Sequence, residues 1–162
     1  MLRIEECELK HIVWEAILME EYKIIYEGEL KEGMSGSISK RITEEDVDTF
    51  AKVTGDYNPM HVDEEFAEKT QFHKKIAHGM LSAGMISACL GNKMPGPGAI
   101  YLNQTLKFEK PVYFGDVLVA TVKVENIEQK AHFQIATLST IVTNQNGEVV
   151  TEGKAQIMPA KH

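Results

Sequence analysis

Hydrophobic and polar residues alternate along the C-terminal part of the chain. The stretches IYLNQTLKFEKPV, DVLVATVKVENIE, HFQIATLSTIVTN and EVVTEGKAQIMP repeat with a period of two, which is typical of strands that bury one face. The residues from Asn144 to Gly147 (NQNG) indicate a hairpin turn between the last two stretches. The pattern therefore predicts long strands joined in an antiparallel meander.

Helical spacing dominates the middle of the chain, after two strand-like pieces, KIIYEGEL and GSISKRI. Thr43 and Asp46 form a capping-box pattern at the start of an amphipathic helix, which Gly55 ends. A shorter helix is predicted from Asp63 to Lys69. The segment AHGMLSAGMISACLGN is apolar on nearly all sides, which is typical of a helix enclosed by other elements, and MPGPG ends it. Together these elements predict an α+β fold, with a curved antiparallel sheet around one long helix.

The N-terminal residues carry a separate signal. Five apolar residues at helical spacing predict a short amphipathic helix there: Leu9, Ile12, Val13, Ala16 and Ile17. This helix either packs on its own domain or binds a partner protein, and Met19 is an alternative start of the chain. We therefore expect an N-terminal extension over residues 1–25 and a single domain over 26–162.

Composition is that of an ordinary globular domain and argues against some partners. The chain has 162 residues, 43% hydrophobic and 25% charged, which is enough for one core. Its net charge of −7 argues against nucleic acid and acidic membrane surfaces as partners. The most apolar run, Met80 to Leu90, is too short to span a bilayer. The acidic first residues predict no signal peptide, and Cys7 and Cys89 form no disulfide framework, so we expect reduced thiols in the cytoplasm.

The stretch GDYNPMH places an aspartate and a histidine on either side of a bend. Pro59 pushes Asn58 out of the helical region, and the Asn58 side chain can fix the turn by an Asx-type hydrogen bond. The bend can bring Asp56 and His61 together around one water. A carboxylate and an imidazole so placed are suited to acid–base catalysis near neutral pH. The same residue types are also common in turns that have no chemistry.

Several blocks of the sequence resemble the MaoC-like (R)-specific enoyl-CoA hydratases, over about residues 26–158. The family's motifs stand in order along the chain: D-x-N-P-x-H at Asp56–His61, HGM at His78–Met80, PGPG-x-IYL at Pro95–Leu102 and KP-V-x-x-GD at Lys110–Asp116. Such blocks together are far more specific than any one of them. The resemblance implies the hot-dog fold, in which an antiparallel sheet wraps one long central helix. It also implies a homodimer, or a higher homo-oligomer built from it, with acyl-CoA sites at or near the dimer interface.

The resemblance also implies a reaction. Members of the family add water reversibly to a trans-2-enoyl-CoA and give an (R)-3-hydroxyacyl-CoA. Asp56 matches the general base, and His61 matches the group that holds the same water and gives a proton to the α-carbon, although the division of these roles stays open. The backbone N–H of Gly79, at the start of the apolar helix, is the candidate that stabilises charge on the thioester oxygen.

Further residues are expected to support this site. Asn58 and Pro59 shape the bend that carries the pair. Ser87 and Leu90 align with residues that line and shape the family's acyl pocket. We expect no metal and no cofactor, since coenzyme A is part of the substrate.

Other activities of the same fold remain open. A thioesterase would direct water at the thioester carbonyl carbon, and a 3-hydroxyacyl-carrier-protein dehydratase would perform the same chemistry on another carrier. Lys107, Lys110 and Lys123 could meet CoA phosphates, although solvated strand lysines are the simpler interpretation.

Activities outside this class have weaker support. A metal site would use residues whose spacing matches no zinc signature: His61, Asp63, His73 and His78. Ser82 and Ser87 lack the G-x-S-x-G elbow of a nucleophilic hydrolase. A non-catalytic acyl-CoA-binding module would need no general base, so an intact Asp56 and His61 argue against it.

Overall fold

The computed structural model describes residues 23–162 and confirms the α+β class. The strands are β1 (Ser35–Arg41), β2 (Ile100–Phe108), β3 (Val117–Gln129), β4 (Gln134–Thr143) and β5 (Val149–Met158). The helices are α1 (Glu44–Thr54), α2 (Pro59–Val62), α3 (Glu64–Glu68) and α4 (Gly79–Asn92). The predicted N-terminal amphipathic helix lies outside the described residues, and the domain boundary after residue 25 stays a prediction.

The five strands form one antiparallel sheet in the order β1-β3-β4-β5-β2. β3, β4 and β5 are successive neighbours, and the predicted NQNG hairpin turn is present, with the Gly147 N–H donating to the Asn144 carbonyl at 3.0 Å. β2 pairs with β5 instead of β3, so the predicted meander is wrong for this strand. Alternation shows which face each residue occupies but does not show which strand lies next to which.

Helix α4 packs across the sheet and buries one of its faces. The buried side chains of the helix are Ser82, Met85, Ile86, Cys89 and Leu90. The opposite face is exposed at Met80, Gly84 and Ser87, and Met80 is 52% exposed. The sequence predicted a helix enclosed on all sides, whereas nothing within residues 23–162 covers this second face. The sheet of the same chain therefore buries one face of α4, and the other face is left exposed.

The stretch KIIYEGEL was predicted as a strand, and this prediction is wrong. All eight of its residues, 23–30, are described, and they form coil and a turn. Ile25 and Leu30 are buried in the core, and the Ile25 N–H donates to the Pro95 carbonyl at 2.9 Å. Burial in the core thus accounts for the apolar residues Ile25 and Leu30, although they belong to no β-strand. None of the helices in the described part of the chain is long and apolar enough to cross a membrane.

Candidate active site

The end of α1 places Asp56 at the edge of the site. The predicted capping box is present at the start of this helix, where the Asp46 N–H donates to Thr43 Oγ1 at 3.2 Å and the Thr43 N–H donates to Asp46 Oδ2 at 2.9 Å. Gly55 ends the helix with a φ of 78°, a left-handed conformation that favours glycine. The chain leaves the helix axis at this residue, so Asp56 emerges beside α1 instead of continuing it.

Asn58 and Pro59 build the turn that carries His61. Asn58 Oδ1 accepts the Met60 N–H at 3.4 Å, which is the predicted Asx-type bond, and it caps α2. Pro59 occupies the first helical position, where a missing N–H costs nothing. Asp56 Oδ1 accepts the Asn58 N–H at 3.2 Å, which orients the carboxylate. The turn therefore fixes both members of the predicted pair by local hydrogen bonds.

His61 is buried below this turn, and its tautomer is set by one hydrogen bond. Nδ1 lies 2.7 Å from the carbonyl oxygen of Ile76. A carbonyl oxygen can only accept, so Nδ1 carries the proton and the neutral ring leaves Nε2 as an acceptor. Burial is the largest effect on the pKa of His61 and lowers it below 6.5; the neighbouring His78 ring acts in the same direction, and the Ile76 bond and the charge of Asp56 act in the opposite one. The neutral ring is therefore favoured near pH 7.

A second imidazole, His78, completes the cluster. Its Nε2 donates to the backbone carbonyl of Asp56 at 2.9 Å and lies 3.9 Å from Asp56 Oδ2. The ring centroids of His61 and His78 are 3.9 Å apart, at an interplanar angle of 36°. The sequence placed His78 in the HGM motif and offered it as a possible metal ligand, but it predicted no role for His78 beside Asp56. Its position directly before Gly79 was the available signal, but the contact with Asp56 depends on tertiary packing.

The cluster is compact enough to share one small ligand. One ligand atom from each of Asp56, His61 and His78 lies within 4.8 Å of the others. Two hydrogen bonds of about 2.8 Å placed end to end span about 5.6 Å, so a single water can bridge Asp56 and His61. A metal ion would have to bind the unprotonated ring nitrogens, Nε2 of His61 and Nδ1 of His78, because the other nitrogen of each ring donates to a carbonyl oxygen.

Gly79 is the first residue of α4, where backbone N–H groups have no acceptor inside the helix. The preceding residue, His78, makes no side-chain capping bond to this first turn. A Cβ on Gly79 would lie 2.9 Å from Cε1 of Phe108, so a larger residue requires that ring to move. Close packing thus accounts for the glycine, and it leaves the helix start without a covering side chain of its own.

Two largely apolar cavities reach the cluster. The larger, about 670 Å³, is lined by Asp56 and by Ser87, together with Phe50, Met80, Tyr101 and Leu106. The smaller, about 390 Å³, is lined by His61 and Gly79, together with Phe72, Met80, Phe108 and Lys110. Both have the concave, apolar character of sites for small molecules.

The predicted pocket residues are placed differently by the structure. Ser87 lines the larger cavity beside Asp56. Leu90 is 2% exposed, packs in the core and lines neither cavity. Leu90 could therefore shape the larger cavity only indirectly, by packing against the residues that line it.

Known proteins identify the family. The model of the MaoC like domain matches residues 27–146. The chain belongs to the MaoC-like domain family. Among its relatives, the (R)-specific enoyl-CoA hydratase of Rhodospirillum rubrum is 49% identical over 138 residues, which are 84% of this chain and 93% of that protein. The 3-hydroxybutyryl-CoA dehydratase of Methylorubrum extorquens is 39% identical over 145 residues, which are 89% and 90% of the two chains.

A solved structure supports the same family assignment for this MaoC-like chain. The unliganded R-hydratase PhaJ1 from Pseudomonas aeruginosa matches with a TM-score of 0.79 and 42% identity, covering 86% of this chain and 88% of that one. The hot-dog fold that the resemblance implied is confirmed.

Proposed function

We propose that this MaoC-like protein is a hydro-lyase that interconverts trans-2-enoyl-CoA and (R)-3-hydroxyacyl-CoA at Asp56 and His61. The reaction is that of the hydratases and the dehydratase to which the chain is similar. The observation that carries the proposal is the geometry of the pair. A carboxylate and a buried neutral imidazole lie close enough to share one water, beside the uncapped start of a helix.

His61 is the residue that moves the proton. Because Nδ1–H is held by Ile76, Nε2 is the free acceptor on the neutral ring. As the water oxygen bonds to the β-carbon, its O–H bond breaks and the proton passes to Nε2. The π electrons of the double bond move to the α-carbon and the thioester oxygen. The Nε2–H then gives the same proton to the α-carbon, which completes the addition.

Asp56 orients the water and stabilises the intermediate charge. Its carboxylate accepts the second hydrogen of the water, which stays on oxygen as the product hydroxyl. Its negative charge also raises the pKa of His61 and so favours the imidazolium that forms during the reaction, against the effect of burial. The sequence left the division of roles open, and the tautomer of His61 favours this one.

The start of α4 supplies a site for the negative charge that develops on the thioester oxygen. The N–H of Gly79, which has no acceptor inside the helix, and the dipole of α4 favour negative charge at this point. A preorganised donor of this kind contributes about 10²–10³ in kcat in other enzymes. Gly79 lines the cavity that also contains His61, so a thioester oxygen there lies near the proton carrier.

The larger cavity takes the acyl chain in this proposal. Its walls are mainly apolar. Asp56 lines this cavity, and so does Ser87 on α4. The structure identifies the binding site of the coenzyme A phosphates less clearly. Lys110 lines the smaller cavity but pairs with Glu148, and Lys107 pairs with Glu109 at 2.5 Å. These pairs fit the simpler interpretation of solvated strand lysines.

We propose that a second copy of the chain covers the exposed face of α4 and the edge strand β2. β2 ends the sheet, and Ile100 and Leu102 on it are 54% and 46% exposed. An apolar edge strand is a template for pairing with another chain, and two-fold pairing would extend the sheet. Sedimentation should give a dimer for the wild type and a monomer for Leu102→Lys. A monomeric wild type contradicts this part of the proposal.

We further propose a cytoplasmic reaction that needs no cofactor beyond the coenzyme A of the substrate. Cys89 is a buried free thiol, as suits a reducing compartment. Asp56, His61 and the amide of Gly79 supply each group that the hydration requires.

The test is a parallel assay on crotonyl-CoA with purified protein. Loss of the ultraviolet absorbance of the conjugated thioester, without release of free thiol, means that water adds across the double bond. Release of thiol identifies a thioesterase instead. No change in either reading with crotonyl-CoA and with longer enoyl-CoA substrates favours a carrier-protein substrate or a non-catalytic binding module, and contradicts the proposal.

A further inference from the structure

His78 is a buried imidazole that the hydration step does not use. It is 3% exposed and lies at the N-cap position of α4. Its ring contacts those of His61 and Phe50, with centroids 3.9 Å and 4.7 Å away. A histidine enclosed by aromatic rings requires a role beyond filling space, because an apolar residue would fill it at lower cost.

The hydrogen bond of His78 joins two separate parts of the site. Its Nε2–H donates at 2.9 Å to the carbonyl of Asp56, which is 22 residues away in the chain. The next peptide unit after His78 carries the N–H of Gly79. The proton-transfer loop and the oxyanion donor are therefore connected through one side chain, which also forms a wall behind the ring of His61.

The other ring nitrogen of His78 shows what the residue does not do. Nδ1 is buried and has no hydrogen-bond partner within residues 23–162. A side chain at the N-cap normally accepts an N–H of the first turn, and serine, threonine, aspartate or asparagine would do so here. His78 makes no such bond, so its side chain does not cap the N–H groups of Gly79 and Met80, while the Leu81 N–H donates to the His78 carbonyl at 3.0 Å. An unpaired buried nitrogen is unfavourable for stability, and such exceptions are expected at functional sites.

We propose that His78 is a positioning residue, which holds the Asp56 loop and the ring of His61 in register with the open start of α4. The inference rests on the proposed hydratase function. It assigns His78 no proton transfer and no contact with substrate. Its effect is to keep the water, the proton carrier and the oxyanion donor in one arrangement before substrate arrives.

The test compares three variants by kcat, KM and thermal unfolding. His78→Phe keeps a ring against His61 and Phe50 but cannot donate to Asp56. Its kcat should fall by about 10- to 100-fold, since a displacement of about 1 Å can cost about 10² in rate. KM should change little, and the unfolding midpoint should be about unchanged, because removal of the unpaired nitrogen offsets the lost hydrogen bond to the Asp56 carbonyl.

His78→Gln is the conservative variant, because its side-chain amide can place an N–H near the position of Nε2. It should recover most of the kcat that the phenylalanine variant loses. The matched control is His73→Gln, since His73 is an exposed histidine five residues earlier and should show wild-type kinetics.

Each outcome decides the inference. A folded His78→Phe protein with wild-type kcat overturns it while the hydratase function stands. A loss of kcat with an equal loss of stability in both His78 variants also overturns it, because that result is a purely structural effect. If the phenylalanine variant does not fold, equal kcat values for His78→Gln and His78→Asn overturn it, since asparagine cannot reach Asp56. An inactive wild type removes the proposed function and this inference together.

Discussion

Combined substitution of Asp56 and His61 tests whether the two residues act on a single water. The variants are Asp56→Asn, His61→Ala and the double variant. Asparagine keeps the size of the side chain but removes its charge, and alanine removes the imidazole. The 4.8 Å limit on the spacing of their ligand atoms is what predicts a shared water.

The expected magnitudes follow from this sharing. A positioned acid–base group contributes about 10²–10⁴ in rate, which is about 2.7–5.4 kcal/mol at about 1.36 kcal/mol per factor of ten. Two independent groups would multiply to about 10⁴–10⁸ in the double variant. If both groups act on one water, either single substitution already abolishes the activation of that water. The rate of the double variant should then be no lower than that of the slower single variant. The coupling energy would then be about 2.7 kcal/mol or more.

The assay is kcat/KM for crotonyl-CoA, followed by the absorbance of the conjugated thioester. Circular dichroism and thermal unfolding confirm that each variant is folded. Losses that multiply in the double variant would refute the shared water, and near-normal rates in both single variants would remove the site assignment.

Four further results are expected. The acid limb of kcat/KM should have its midpoint below pH 6.5, because burial lowers the pKa of His61 and only the neutral ring accepts a proton; a midpoint above 6.5 in a pH–rate profile contradicts this. Thr43→Ala should destabilise the protein by about 1 kcal/mol and lower its melting midpoint by about 2–4 °C in calorimetry, through loss of the α1 cap. Ser87→Leu should reduce kcat/KM for an eight-carbon enoyl-CoA relative to crotonyl-CoA by about tenfold or more, because it narrows the larger cavity; equal reductions would show that Ser87 does not border the acyl chain. Chelator treatment should leave turnover unchanged, and a loss restored by zinc would indicate a metal at the cluster.

Local chemistry made part of the site predictable from the sequence. The cap at Thr43, the stop at Gly55 and the turn at Asn58 and Pro59 each depend on residues within a few positions. Those signals place Asp56 and His61 on the same bend. The bend was therefore predictable from local residues, whereas the assignment of Asp56 and His61 as an acid–base pair depended on the resemblance of several sequence blocks to the MaoC-like hydratases.

Long-range contacts set what the sequence could not predict. The tautomer of His61 depends on the carbonyl of Ile76, 15 residues away. The hydrogen bond to the Asp56 carbonyl comes from His78, 22 residues away. Neither contact has a local signature, since both arise when α4 and its preceding segment pack against the bend.

Sheet order and the open face of α4 were unpredictable for related reasons. The period of β2 marks its buried face, but its pairing with β5 is decided by how the chain crosses the end of the sheet. The apolar pattern of α4 shows that both faces avoid water, and it does not show whether the same chain or a second copy covers Met80 and Ser87.

The configuration of the product from crotonyl-CoA tests the central claim most directly. The protein should convert it to (R)-3-hydroxybutyryl-CoA without release of free thiol, and Asp56→Asn should lose at least about 10² of that rate. An (S) product, or free coenzyme A in place of a hydroxyacyl thioester, would contradict the account.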